Sequence, residues 1–451
     1  MKNLFLFLIS FVGFNLFAGW YCDTSSSTYT ITETDIKEGE TPWVFYAKQN
    51  TLPRLAFNSY GGCIKQVGSR PVIDLSKPIT NKNGVVYYFT SLYKGIFQKK
   101  NTVTDIILPD TITYIDDESF RECAALKRVV LGKGRKTIGE KVFYASTALE
   151  NVTDSVTMTN VFNASSIGAN SFNGTTGLKG DIVIDGDVSL GADCFYKSGI
   201  TSFRVNGEYV GGIAKQTFRE CPNLTSLVLS TGVVSHITYF GEKAFLSTSK
   251  LKEILPYKYD RLSRFDLSAL NPLANLKSSI EIVHDGTITL SGQSIFSCGI
   301  TNFISNAKVK IAGNENFRNC TSLKELRLKQ GVEIGSYTDF CRYDTGIKVF
   351  LCPNRPATYG NNYFGSVGNY QFVIYGDRND TSSTGWFNVN NYTPWNSLSA
   401  AQKNTWKNLT DAQKIANGWP LDRLPKGLTK AAPSNKWLFY IPQRGLSLFL
   451  Y

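Results

Sequence analysis

Histidine is scarce: the 451-residue chain has two, His236 and His284. Centres built from several histidines are therefore excluded, and a serine–histidine–aspartate triad would have to use one of these two. The sequence also lacks a C-x-x-C pair, H-E-x-x-H, G-x-S-x-G and a glycine-rich phosphate loop. Only 19% of the residues are charged, which excludes a disordered polyelectrolyte or a coiled coil. Beyond the N-terminus no 18 consecutive residues are apolar; the nearest approach, Trp437 to Tyr451, is broken by Pro442, Gln443 and Arg444, so no integral membrane span is expected. Together these absences predict a chain with no catalytic residues, no metal site and no cofactor.

What the chain has instead is 38 glycines and 13% aromatic residues, among them 29 Phe and 23 Tyr, a mix that favours strands and turns. It opens with Lys2, an apolar run from Leu4 to Phe17 and Ala18, the layout of a secretory signal peptide over residues 1–18. The protein is therefore expected to be secreted or held at the cell surface. Cys22 follows closely, but Gly19-Trp20-Tyr21 does not place a small residue directly ahead of it, as a lipoprotein signal requires.

A 23-residue period runs through the middle of the chain. Val103, Leu126 and Leu149 form one column, Ile115 and Ile138 a second, Phe120 and Phe143 a third. The Phe column continues through Phe97, Phe172, Phe195, Phe218, Phe245, Phe317, Phe340 and Phe364. The longer step from Phe143 to Phe172 predicts an insertion around Thr157 to Ser166. Between Phe245 and Phe317 two degenerate units are expected, with Leu270 and Ile295 in the anchor place. A unit this short cannot bury its own apolar face, so units must stack into one continuous core. Leu126 to Leu131, Leu224 to Leu229 and Leu323 to Leu328 share L-x-x-L-x-L, whose last positions alternate as a strand requires.

The phrases Phe120-Arg121-Glu122-Cys123-Ala124-Ala125-Leu126, Phe218-Arg219-Glu220-Cys221-Pro222-Asn223-Leu224 and Phe317-Arg318-Asn319-Cys320-Thr321-Ser322-Leu323, with Ile138-Gly139 and Leu108-Pro109 in linking turns, resemble BspA-type (Treponema-type) leucine-rich repeats. The resemblance covers about 290 residues. It implies an α/β repeat, a leucine-rich repeat solenoid of about twelve coils with a parallel strand ladder, capped at both ends and followed by a small C-terminal extension. The expected organisation is signal peptide 1–18, N-terminal cap 19–84, solenoid 85–376, C-terminal cap 377–396 and a partly helical basic extension 397–451. The chain departs from the family pattern in irregular coils at 255–300 and in its tail. The resemblance further implies a secreted or surface-exposed protein, often one that binds host or neighbouring-cell molecules, and does not imply an enzyme.

Cys123, Cys221 and Cys320 each stand three residues after an anchor Phe, and Cys298 three after Ile295, so they are expected to point inward as buried thiols. Cys298 with Cys320, and Cys22 with Cys63, are the pairs that a disulfide would join. Asp116, Asp117 and Glu118 read as a solvated turn. Between the inward positions of the strands, Ile107, Val130, Val228, Leu255, Ile304 and Leu351 should form an apolar stripe on the ladder face, interrupted by Arg204, Glu281 and Arg327, with Arg128, Arg204 and Arg327 as its cationic members. These aliphatic residues and arginines are the expected binding surface. Net charge is +12, with basic groups at Lys127, Arg128, Lys133, Arg135, Lys136 and Lys141 and in residues 401–451. On an exported protein such charge suits an extracellular protein or anionic glycan, not nucleic acid. The expected function is non-catalytic binding or adhesion through the solenoid face. The rivals are a secreted glycan-acting hydrolase using the repeats for targeting, and a structural protein of the cell envelope. The sequence leaves the oligomeric state open.

Overall fold

The computed structural model describes residues 71–76, 91–92, 94–155 and 159–333, with Phe340, Cys341 and Ile347; elsewhere it describes backbone strands only. The leader, of which only Leu4–Phe7 is described, the helical signal around Ser399 to Ala416 and the Cys22–Cys63 pair therefore lie outside the described side chains. The chain forms two compact units, Met1–Val210 with Ala214–Thr231, and Gly211–Ile213 with Gly232–Tyr451.

Each coil has the same plan: a strand of a first ladder, a corner, a short strand of a second ladder, and a turn carrying the anchor residue. In the first unit the first ladder runs in parallel through Val72–Asp74, Asp105–Ile107, Arg128–Val130 and Asn151–Thr153. Its register sets Asp105 opposite Arg128 and Arg128 opposite Asn151, so the 23-residue period is the length of one coil. The ladder resumes with Asn160–Ile167, Asp181–Asp185, Ser202–Val205 and Ser226–Val228. The second ladder passes through Val86–Leu92, Tyr114–Ile115, Lys136–Ile138, the end of Asn160–Ile167 and Ser189–Leu190. At its start, Arg54–Phe57 pairs in parallel with Val86–Leu92 and antiparallel with Trp43–Thr51.

The second unit repeats the plan. Its first ladder comprises Lys258–Tyr259, Ile280–Ile282, Asn302–Ser305, Glu325–Leu328, Val349–Leu351 and Phe372–Tyr375, the last of which pairs with Trp437–Tyr440. Its second ladder comprises Tyr239–Phe240, Arg264–Phe265, Thr287–Leu290, Lys308–Ile311 and Val332–Ile334. The fold is a parallel β-solenoid of about ten turns, close to the expected number of coils, and no helix occurs among the described residues.

The core is a set of columns. Ring centroids of Phe97 and Phe120 are 5.3 Å apart at 9°, and the stack continues through Phe143, Phe172, Phe195 and Phe218 at 5.0 to 5.7 Å. Leu126, Leu149, Leu178, Ile200 and Leu224 form a parallel column of fully buried aliphatics. In the second unit Leu270 and Ile295 take the anchor place and are fully buried, as the spacing predicts. There the stacked rings belong to another column, Phe240 on Phe265 at 5.0 Å, while Phe303 meets Phe317 edge-on at 4.9 Å.

The described part of the expected insertion is strand. From Asn160 on, it forms the eight-residue strand Asn160–Ile167, whose first half pairs with Asp181–Asp185 and whose second half pairs with Lys136–Ile138 and Ser189–Leu190. One of the added residues is taken up by a register shift between Lys136 and Thr137. Such a bulge lets one strand carry extra residues without breaking the ladder.

The anchor turns rest on an unusual backbone. Residues two before and two after the anchor adopt positive φ in successive coils: Glu118 (60°) and Glu122 (56°) around Phe120, Lys141 (54°) and Ala145 (55°) around Phe143, Asp193 (56°) and Lys197 (57°) around Phe195. Left-handed conformation costs an ordinary residue about 1 kcal/mol or more. Here it turns alternate N–H groups toward the following coil. Glu118, Phe120 and Glu122 donate to the carbonyls of Glu140, Val142 and Tyr144 at 2.8, 2.9 and 2.7 Å, and the preceding and following coils repeat the set. Three inter-coil bonds per turn offset the conformational cost and hold the Phe rings in line.

Corners are equally tight. A Cβ on Gly168 would lie 2.5 Å from the carbonyl group of Gly139 in the coil below, a position open only to glycine.

Candidate functional site

Three surfaces compete for the functional role. The catalytic one is the least developed. His236 Nδ1 lies 2.8 and 2.9 Å from the two carboxylate oxygens of Asp260, but no hydroxyl or thiol meets its other ring nitrogen among the described residues. The neighbouring Ser235 is fully buried while His236 is partly exposed, because adjacent strand residues face opposite ways. His284 is fixed as well: Nε2 donates to the carbonyl of Leu262 at 2.7 Å and Nδ1 accepts from Gly286 N–H at 3.1 Å. Among the described residues no group of three or more acidic, histidine or cysteine side chains is arranged to hold a metal ion. Asp116 accepts from the N–H of Asp117 at 2.7 Å, Asp117 from that of Glu140 at 2.7 Å, and Glu118 pairs with Arg121 at 3.3 Å. This acidic run is therefore the turn element expected of it.

The second surface is the strip of anchor turns. Its charges pair across neighbouring coils, Lys99 with Glu122 and Lys197 with Glu220, and within a turn, Arg121 with both Glu118 and Glu122 and Arg219 with Glu220. Arg121 lies over Tyr144 of the next coil at 5.6 Å, Arg219 over Tyr196 at 5.3 Å and Arg318 over Phe296 at 5.9 Å. These cations are already engaged, so the strip stabilises the stack and offers little to an outside anion.

The third surface is the outer face of the first ladder, where the expected binding residues lie. Ile107, Val228 and Ile304 are half-buried and occupy outward strand positions, Leu255 is exposed, and Leu351 belongs to a strand described in backbone only. Val130 corrects the expectation: it is 4% exposed, and its ladder partner Thr153 is 0% exposed, with Asn151 of the same strand at 5%. The cause is the inserted strand. Asn160 accepts from Val152 N–H at 2.8 Å and Val161 from Asp154 N–H at 2.8 Å, which draws the chain over this end of the ladder. The charged residues expected to interrupt the stripe stand in its columns, as Glu281, Ile304, Arg327 in the second unit and Val183, Arg204, Val228 in the first. Arg128 is tied to Asp105 at 2.7 Å and Arg327 to Glu325 at 2.9 Å; Arg204 is exposed.

The basic group around residues 127–141 does not form one patch. Lys127, Lys133 and Arg135 are exposed, Arg128 is paired, and Arg135 donates to the carbonyl of Asp187 at 2.8 Å. Lys136 is 1% exposed, with its ammonium on the carbonyls of Gly132 and Gly134. Burial lowers its pKa from 10.5 to about 8, opposed by the charges of Asp110 and Asp154.

The six described cysteines are buried thiols, and Cys298 and Cys320 are not joined in the disulfide considered for that pair. They are more than small apolar fillers. Cys123, Cys221 and Cys320 direct their thiols at the carbonyls of Phe97, Phe195 and Ile295 in the coil below, at 2.9, 2.9 and 2.8 Å. Ser146 donates to Phe120 in the same way at 2.8 Å. Desolvation holds Cys123 up at about 11 and Cys221 and Cys298 at about 12.

No helix among the described residues is long and apolar enough to cross a membrane. Three solved structures show similarity. A leucine-rich repeat protein from Bacteroides ovatus is 15% identical with a TM-score of 0.36, over 76% of this chain and 91% of that one. A leucine rich cell surface protein from Faecalibacterium prausnitzii is 12% identical at 0.29, over 75% and 88%. The pneumococcal vaccine antigen PcpA is 14% identical at 0.29, over 75% and 93%. None of the curated proteins matches the chain. The family model for the BspA type leucine rich repeat region, in six copies, matches residues 90–163, 153–263 and 262–371, well over half of the sequence. The repeating columns and that match lead to one conclusion: this chain belongs to the BspA-type leucine-rich repeat family.

Proposed function

We propose that the protein is a non-catalytic surface protein whose solenoid mediates adhesion through the outer face of the first ladder. The observation that carries this reading is the side-chain arrangement on that face. Outward strand positions place aliphatic, hydroxyl and charged groups in columns at the inter-strand spacing of about 4.8 Å, on a backbone held by every neighbouring coil. A preformed surface of this kind binds without first ordering itself, which removes a cost that flexible loops incur. The surface-protein character of the family and the apolar segment at Leu4 to Phe17 support a location outside the cell.

The test is a panel of immobilised extracellular ligands, comprising matrix proteins and neutral and anionic glycans, probed with the full chain at physiological salt. Saturable binding without turnover is expected. Release of sugar from a bound glycan would establish the hydrolase instead, and absence of saturable binding across the panel would favour a structural role.

A further inference from the structure

Most of the described arginines are neutralised at home: Arg121, Arg128, Arg219, Arg264, Arg318 and Arg327 each sit in an ion pair. Arg135, Arg261 and Arg204 have none among the described residues, and of these three Arg204 alone lies on a ladder strand. It is exposed on Ser202–Val205, between Val183 and Val228 of the adjacent strands, and has no hydrogen-bond or ion-pair partner among the described residues. Two carboxylates lie on the neighbouring strand, at its two ends, yet both are held by residues flanking Arg204. Ser202 Oγ donates to Asp181 at 2.7 Å, and Asn206 Nδ2 donates to Asp185 at 2.7 Å. Thr201 Oγ1 adds a further bond to Asp181 at 3.1 Å.

We propose that Arg204, set in the aliphatic row of Val183 and Val228, is a docking point for a carboxylate borne by an extended protein segment with aliphatic neighbours. This assignment rests on the adhesive reading above and names the partner chemistry of its face. A free guanidinium presents paired donors that match a carboxylate in two-point geometry. The row around it decides the class of partner. Valines offer apolar contact to aliphatic side chains, whereas sugars are recognised through aromatic stacking, and no aromatic residue stands in this outward row. The bonds from Ser202 and Asn206 engage one oxygen of each neighbouring acid, and neither acid pairs with Arg204, so its guanidinium stands open to an incoming carboxylate.

The experiment uses the full chain and three surface-immobilised probes: a peptide alternating valine and threonine around a central glutamate, the same peptide with lysine in that place, and a polyuronate. Wild-type protein is expected to bind the glutamate peptide and neither of the others. Arg204→Ala should weaken that binding at least tenfold with an unchanged unfolding temperature, and Lys197→Ala on the turn strip should leave it unaltered. Equal binding by Arg204→Ala, binding of the polyuronate alone, or binding of no probe would each overturn the assignment. The wider adhesive reading is judged separately: saturable binding on the extracellular panel that survives Arg204→Ala removes Arg204 from the site and leaves adhesion standing.

Discussion

Cys123 Sγ lies 2.9 Å from the carbonyl oxygen of Phe97, one coil below it. The same carbonyl accepts the N–H of Lys100 within its own turn at 3.2 Å, so both lone pairs of an anchor carbonyl are used. The relationship repeats for Cys221 on Phe195 and Ser146 on Phe120, which explains why cysteine, serine and threonine alternate at this position. A small side chain fits the column, and its proton is needed there. Replacing Cys123 by serine should keep stability within about 1 kcal/mol, whereas Cys123→Ala should cost roughly 1 to 2 kcal/mol by leaving the acceptor short of a donor. Urea unfolding of the two variants checks the order.

These thiols should be chemically silent. Burial keeps Cys123, Cys221 and Cys298 protonated to about 11 or 12, and only the thiolate reacts readily with disulfide reagents. Peptide mapping after treatment with an aromatic disulfide at pH 8 is expected to show these three unmodified in the native protein and modified in denaturant. Their sign of linkage is also determined. The folded state holds protons that the unfolded thiols release above about 9, so this contribution to stability is complete below that pH and declines as pH rises toward 11.

Lys136 carries the opposite sign. Its folded pKa near 8 lies below the ordinary 10.5, so between these values the unfolded chain binds more protons and folding becomes more favourable as pH rises. The neutral amine still has two N–H groups for the carbonyls of Gly132 and Gly134. Relative to Lys136→Met, wild-type protein should gain up to about 3 kcal/mol between pH 7.5 and 10.5. Comparing the two proteins cancels the thiol effect, and a pH-independent difference would show the lysine to be charged in both states.

The anchor column should tolerate shape better than loss. Phe120→Ala removes a ring stacked on both Phe97 and Phe143 and is expected to cost about 3 to 5 kcal/mol. Phe120→Leu should cost only about 1 to 2 kcal/mol, because Leu270 fills the same place in another coil. Equal losses in thermal unfolding would show that ring stacking, and not filled volume, holds the column together.

At the corner, Gly168→Ala has no room to relax, since its Cβ would meet backbone of the coil beneath. A loss of about 2 kcal/mol or more is expected. Measured hydrogen exchange should rise most in the adjoining strands Lys136–Ile138 and Ser189–Leu190, which pair with the strand ending at Ile167.

The repeat itself was open to reading in the chain, because a coil in register with its neighbours must return each buried side chain after a fixed number of residues. Phe97, Phe120 and Phe143, and the substitute anchors Leu270 and Ile295, show that period directly, and with it came the parallel ladders, the continuous core and the family. Three features followed from tertiary structure alone. Several left-handed residues flanking the anchors, such as Glu118, Glu122, Lys141 and Ala145, carry no local signal for that conformation and adopt it because bonds to the next coil require it. Val130 and Lys136 are covered by a strand arriving from some thirty residues later, so alternation within their own segments could not reveal their burial. Arg204 is expected on the ladder face from its strand position, but the bonds by which Ser202 and Asn206 hold the neighbouring acids appear only in the fold. Periodicity records what every coil shares, whereas the departures that give this face its chemistry arise where different coils meet.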